Sequence, residues 1–148
     1  MKPPHDAAED GTTFLELGLV SPVLAIVIAA VLQYGYLYWS VETASATAYR
    51  TAQALMIGTD WSCTSERART AVHGPATGTE DPVVERRFHH EDGTVFAGPV
   101  QGALVTVTVS FRTLDVRVPF LPLPDDGRVS RSVTARVENV PRVPLPCV

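Results

Sequence analysis

From residue 17 to residue 41 the chain has no Asp, Glu, Lys or Arg, so 25 residues pass without a formal charge. A surface helix of a globular protein would carry charge on its outer face, whereas about 20 apolar residues in a helix suffice to cross the hydrocarbon core of a bilayer. Lysine is nearly absent: eleven of the twelve cations are Arg. Residues 42–148 hold 11 Arg against 12 acidic residues, so no basic excess points to nucleic acid. Only two cysteines occur, Cys63 and Cys147, and neither belongs to a CxxC pair, which removes the usual zinc and thiol-redox sites. The glycines follow neither P-loop nor dinucleotide spacing. Ser62, Ser65 and His73 form no recognisable nucleophile arrangement, and there is no G-x-S-x-G elbow. His89 and His90 are neighbours whose side chains point to opposite faces of a strand, so they do not chelate one ion together. Asp125 and Asp126 beside Gly127 fall short of a calcium ligand set. No enzyme, metal or cofactor is expected.

What is present begins with Glu16, a lone carboxylate at the head of the uncharged run. A charge at the edge of lipid either finds a partner or rests in the headgroup layer. Within the run, Gly18, Ser21, Ala25 and Ala29 form a stripe of small residues. Such a stripe lets membrane helices approach closely, though small residues are also simply common there. Pro22 lacks a backbone donor and loosens the preceding turn, and Tyr34, Tyr36, Tyr38 and Trp39 read as an interfacial aromatic belt. Beyond the run, Val41, Ala44, Ala48, Ala52 and Leu55 recur at helical spacing, and Gly58 is placed to end the helix. The expected helix runs from about residue 12 to residue 57: a transmembrane part (12–41) and an amphipathic stem (42–58) that projects outward.

Residues 59–148 read as a small β-rich domain. A short helix is expected at 65–72, a weak strand at 83–89, and a hairpin turn at Asp92-Gly93 leading to a return strand at 94–97. The clearest strand is 103–111, where Val105, Val107, Val109 and Phe111 alternate with Thr106, Thr108 and Ser110, with a continuation through Val116 and Val118. Its apolar face should pack on the alanine stripe of the stem. Residues 129–137 alternate again with Arg131 breaking the apolar side, which marks an edge strand or one frayed at its start. The expected class is α+β: a long N-terminal membrane-spanning helix, extended into a stem, packed on an antiparallel sheet of three or four strands.

The stretch Gly11-Thr12-Thr13-Phe14-Leu15-Glu16-Leu17-Gly18-Leu19-Val20-Ser21-Pro22 resembles the start of a type IV prepilin, and within that class the TadE-like minor pilins, or pseudopilins, of tight-adherence pilus systems. The match covers about the first 57 residues. The resemblance implies a leader (1–11) cut between Gly11 and Thr12, with Glu16 as the fifth mature residue, neutralising the N-terminal amine of a neighbouring subunit and so fixing registry. It also implies partners: a prepilin peptidase, a pilus assembly ATPase with its platform proteins, and a major pilin or other pseudopilins. The leader departs from the family in carrying Asp6, Glu9 and Asp10, and Glu16 is followed by Leu17 rather than an aromatic.

Positive-inside counting does not orient the chain, since Lys2 precedes the run and Arg50 is the first cation after it. The sizeable C-terminal part, the cysteines and the resemblance favour a single-pass protein of the cytoplasmic membrane with residues 59–148 outside the cytoplasm, extending to a cell-surface pilus. In that compartment Cys63 and Cys147 form one disulfide or remain two free thiols. Two alternatives stand beside this reading. One is an uncleaved single-pass protein whose exported domain binds an envelope component; the other is a soluble domain released at Ala44-Ser45-Ala46.

Overall fold

The computed structural model describes residues 7–73, 81–115, 121–141 and 145, with side chains from Glu16 onward. The long helix is α1 (Ala7–Met56), 50 residues with Pro22 inside it and about 75 Å long at 1.5 Å per residue. It begins five residues before the expected start at residue 12. Ala7 and Ala8 are strong helix formers, and neither proline nor glycine stands between Ala7 and Gly11 to interrupt the extension. At the other end Gly58 adopts φ +83°. Gly58 N–H donates to Leu55 O at 3.1 Å and Thr59 N–H to Ala54 O at 3.0 Å, the paired bonds of a Schellman cap. A Cβ at Gly58 would also sit 2.1 Å from Pro141 Cδ, so close approach and backbone angle both demand glycine there.

A second helix, α2 (Trp61–Val72), starts four residues earlier than the expected 65. Asp60 is the reason: its carboxylate accepts from the backbone N–H groups of Ser62 and Cys63, which satisfies two donors that a helix start leaves unpaired.

Four strands follow in one antiparallel sheet: β1 (Val83–His89), β2 (Val95–Phe96), β3 (Leu104–Arg112) and β4 (Arg128–Arg136), in spatial order β2-β1-β3-β4. The expected return strand at 94–97 is trimmed to two residues, because Thr94 is used in the turn. Its N–H donates to Asp92 Oδ1 at 2.9 Å, and its carbonyl accepts from His90 N–H. β3 ends at Arg112, and the expected continuation through Val116 and Val118 lies outside the described residues. β4 is an edge strand, as Arg131 suggested, and a 3-10 turn (Pro124–Gly127) leads into it.

Both helices cover one face of this sheet. Ala44, Ala48, Ala52 and Leu55 of α1 are buried with Val105, Val107, Val109 and Phe111 of β3, Val84 and Phe88 of β1, Val129 of β4, and Ala68 and Val72 of α2. The alanine stripe works by size: side chains of one carbon let a helix lie close on a sheet whose buried residues are Val and Phe. Each Val or Phe so covered contributes about 1.5–3 kcal/mol. The opposite face carries hydroxyls in cross-strand pairs, with Thr106 and Thr134 Oγ1 2.8 Å apart and Thr108 Oγ1 and Ser132 Oγ 2.9 Å apart. The architecture is thus α+β, a long N-terminal apolar helix packed on a small antiparallel sheet.

Residues 137–141 return to the helix junction. Glu138 and Asn139 N–H both donate to Met56 O, and Leu145 pairs with Thr59 in an isolated parallel bridge.

Candidate functional site

Part of the N-terminal half of α1 carries no cover from the other described residues. Residues 16–28 are exposed, Glu16, Gly18, Ser21 and Ala25 among them, and Ala29 is half-buried. A Cβ added at Gly18 would meet nothing within 4 Å. The helix is long and apolar enough to cross a membrane, with mean hydropathy 2.2 in its most apolar window and little of that window buried. Gly11 and Thr12 both lie within the helical backbone of α1, so the peptide bond between them is helical in the uncut chain. At about 100° per residue, the stripe Gly18–Ser21–Ala25–Ala29 is centred about 180° around the helix from Glu16. The structure therefore does not bring the carboxylate and the small residues together. A neighbour paired with Glu16 and one packed on the stripe would approach from opposite sides.

The domain's grip on the helix starts further N-terminal than the expected stem. Gln33 is only 2% exposed, and its Nε2 donates to Leu121 O at 3.4 Å while Oε1 has no hydrogen-bond partner. Tyr34 Oη donates to Pro122 O at 3.4 Å. One turn and more further on, Ser40 Oγ donates to Tyr36 O at 2.9 Å and lies 3.0 Å from Thr113 Oγ1, with Leu37 and Val41 packed on the core beside it. Half of the stretch 33–41, expected in lipid, is thus covered by the β3–β4 connection. Of the aromatic belt, Tyr34, Tyr38 and Trp39 are exposed, and Tyr36 meets Trp39 with ring centroids 5.7 Å apart. Sequence reasoning passed over Gln33, although it is the one amide side chain in the uncharged run, and a lone amide there needs a partner.

Cys63 sits half-buried in the first turn of α2 and is disulfide-bonded. Cys147 lies outside the described residues. Leu145, two positions before it, is held against this same turn: Asp60 N–H donates to Leu145 O and Leu145 N–H to Gly58 O, each at 3.1 Å. Hydrogen bonds from the Ser62 hydroxyl first, and from Cys63 N–H next, hold the Asp60 carboxyl below its ordinary range.

Arg86 is an inward-facing residue of β1, between Val84 and Phe88. Its guanidinium lies 4.7 Å from the Trp61 ring centroid and 5.3 Å from that of Phe88. Burial pushes its pKa down and the Asp60 charge partly restores it. These contacts let a cation stay near the core by stacking on aromatic faces. A groove of about 770 Å³ runs between α1 and α2, lined by Thr47, Arg50, Ala54, Ile57, Ala68 and Ala71 among others. Among the described residues that line it there is no carboxylate, histidine or cysteine. His89 Nε2 lies 2.9 Å from Thr106 Oγ1, and the His90 ring stands edge-on to Phe96. Among the described residues no three His, Cys, Asp or Glu side chains are grouped to hold a metal.

Compared with known proteins, the chain matches no family model, no curated protein and no solved structure.

Proposed function

We propose that this chain is a TadE-like pseudopilin, or minor pilin, that acts in assembly of a tight-adherence type IV pilus. Its work is assembly rather than catalysis. The apolar half of α1 stores the subunit in the cytoplasmic membrane with the β-rich domain outside. Processing after Gly11 exposes an amine at Thr12, and Glu16 supplies the carboxylate that neutralises a neighbour's amine, each charge removing the other's desolvation cost. Prepilin peptidase, an assembly ATPase with its platform, and a major pilin are the partners this role requires.

The observation that carries the reading is one unbroken helix with a lone carboxylate at the head of its uncharged half and a domain packed on the other half. The test is the N-terminal sequence and intact mass of the protein from a native membrane fraction. A start at Thr12 is expected, and a Gly11→Asp variant should keep its leader and lose pili. A start at Met1 with unchanged pili in that variant would overturn the proposal.

One observation favours a second reading, an uncleaved single-pass protein with an envelope-binding domain. The bond after Gly11 lies inside a helix that continues back to Ala7, and a peptidase needs that turn unwound. The same mass measurement separates the two.

A further inference from the structure

The length of free helix dictates where the domain can sit. Residues 16–32 are outside the domain's hydrogen-bonded grip, and the grip begins at Gln33. A hydrocarbon core of about 30 Å takes up about 20 helical residues. Counted from Thr12 those residues end at Val31; counted from Glu16 they end at Gly35. In both cases the outer boundary of the core falls within two residues of Gln33. No helix is left over to hold the domain away from the bilayer.

We propose that the domain rests directly on the outer lipid headgroup layer, through residues 121–124 together with Tyr34, Tyr38 and Trp39. This inference rests on the membrane-spanning reading above. Hydrogen bonds from Gln33 to Leu121 O and from Tyr34 to Pro122 O pin that segment at the level where the core ends. Its residues Leu121, Pro122, Leu123 and Pro124 carry no charge, and the two prolines present no N–H group to desolvate. Pro122 and Pro124 are exposed. Charge resumes immediately beyond: Asp125, Arg128 and Arg131 stand with Leu37 and Val41 around one shallow depression. Side chains of both signs suit a layer of phosphates and amines, so a zwitterionic lipid surface is sufficient. Tyr34 is 42% exposed, Tyr38 67% and Trp39 45%, and amphipathic rings of this kind collect at the headgroup level.

The test places single tryptophan probes in the full chain, reconstituted in phosphatidylcholine vesicles with brominated phosphatidylcholine as quencher. In a Trp39→Phe, Trp61→Phe background, Ile26→Trp reports the middle of the free helix and Leu123→Trp reports the contact segment. The Trp61→Phe variant leaves native Trp39, and the Trp39→Phe variant leaves native Trp61 as a reference in α2. With bromines near the lipid carbonyls, the probes at positions 123 and 39 should each lose about half their intensity. Mid-chain bromines should affect them less, the position-26 probe should be quenched by mid-chain bromines most, and Trp61 should be unaffected. Quenching at position 26 with none at 123 or 39 would overturn the docking while leaving the spanning helix intact, as when a second copy covers the segment. No quenching at position 26 would overturn the spanning reading itself. Should Leu123→Trp fail to fold, Trp39 in the Trp61→Phe variant carries the same test.

Discussion

Gln33 and Asp60 show how single polar side chains decide where elements meet. Gln33 is buried because the β3–β4 connection lies over it and accepts from its amide. Asp60 starts α2 by accepting from two backbone N–H groups and the Ser62 hydroxyl. Those bonds favour the charged form and depress its folded pKa. The stabilisation is therefore present above the unfolded-state value and lost as pH falls through the folded one. Asp60→Ala should lower the urea midpoint of the domain at neutral pH, and its gap from wild type should narrow at acid pH, as pH falls below the ordinary Asp value of about 3.9. Asp60→Asn, which keeps the cap, should lie between them at neutral pH. Denaturation followed by circular dichroism at both pH values checks this, and a gap unchanged by pH would rule out the carboxylate's role.

At the scale of elements, α1 does two jobs with one continuous backbone. Its N-terminal half meets solvent or lipid, and its C-terminal half is the central core element of a soluble-type domain. The alanine face tolerates little: Ala44 and Ala48 are 0% exposed against the sheet. Ala48→Leu should destabilise the domain by about 1–3 kcal/mol through overpacking. Ala46→Leu, on the exposed side two residues away, should stay within about 0.5 kcal/mol. Equal effects in a paired denaturation series would mean that the stem does not pack on β3 and β4. The stem face and the 103–111 strand were readable because period 3.6 and period 2 are strong signals. α2 was placed four residues short because a cap acts through one side chain and leaves no periodicity, and β2 is too short to have any.

Across the whole molecule, the disulfide state of Cys63 bears on both stability and compartment. An exported, oxidising setting preserves such a bond. Alkylation of the native protein without reductant should add no mass, and reduction should lower stability by at most about 4–5 kcal/mol, the chain-entropy limit for so long a loop. Cys63→Ser should reproduce the loss and become insensitive to reductant. Free thiols in protein taken from the native membrane would place the domain in a reducing compartment and remove support for export.

What the sequence by itself determined was the division of labour along α1, since absence of charge and spacing of alanines are properties of order alone. The α+β class and the strands β3 and β4 followed from alternation. Only the tertiary structure decided where the free half of α1 ends. The uncharged run stops at Val41, but the domain takes hold at Gln33, because residues distant in the chain, Leu121 and Pro122, supply the acceptors for Gln33 and Tyr34. Hydrophobicity in one dimension cannot distinguish a helix covered by lipid from one covered by its own domain. Both remove the same apolar surface from water, and the choice between them is made by contacts 88 positions apart in the sequence.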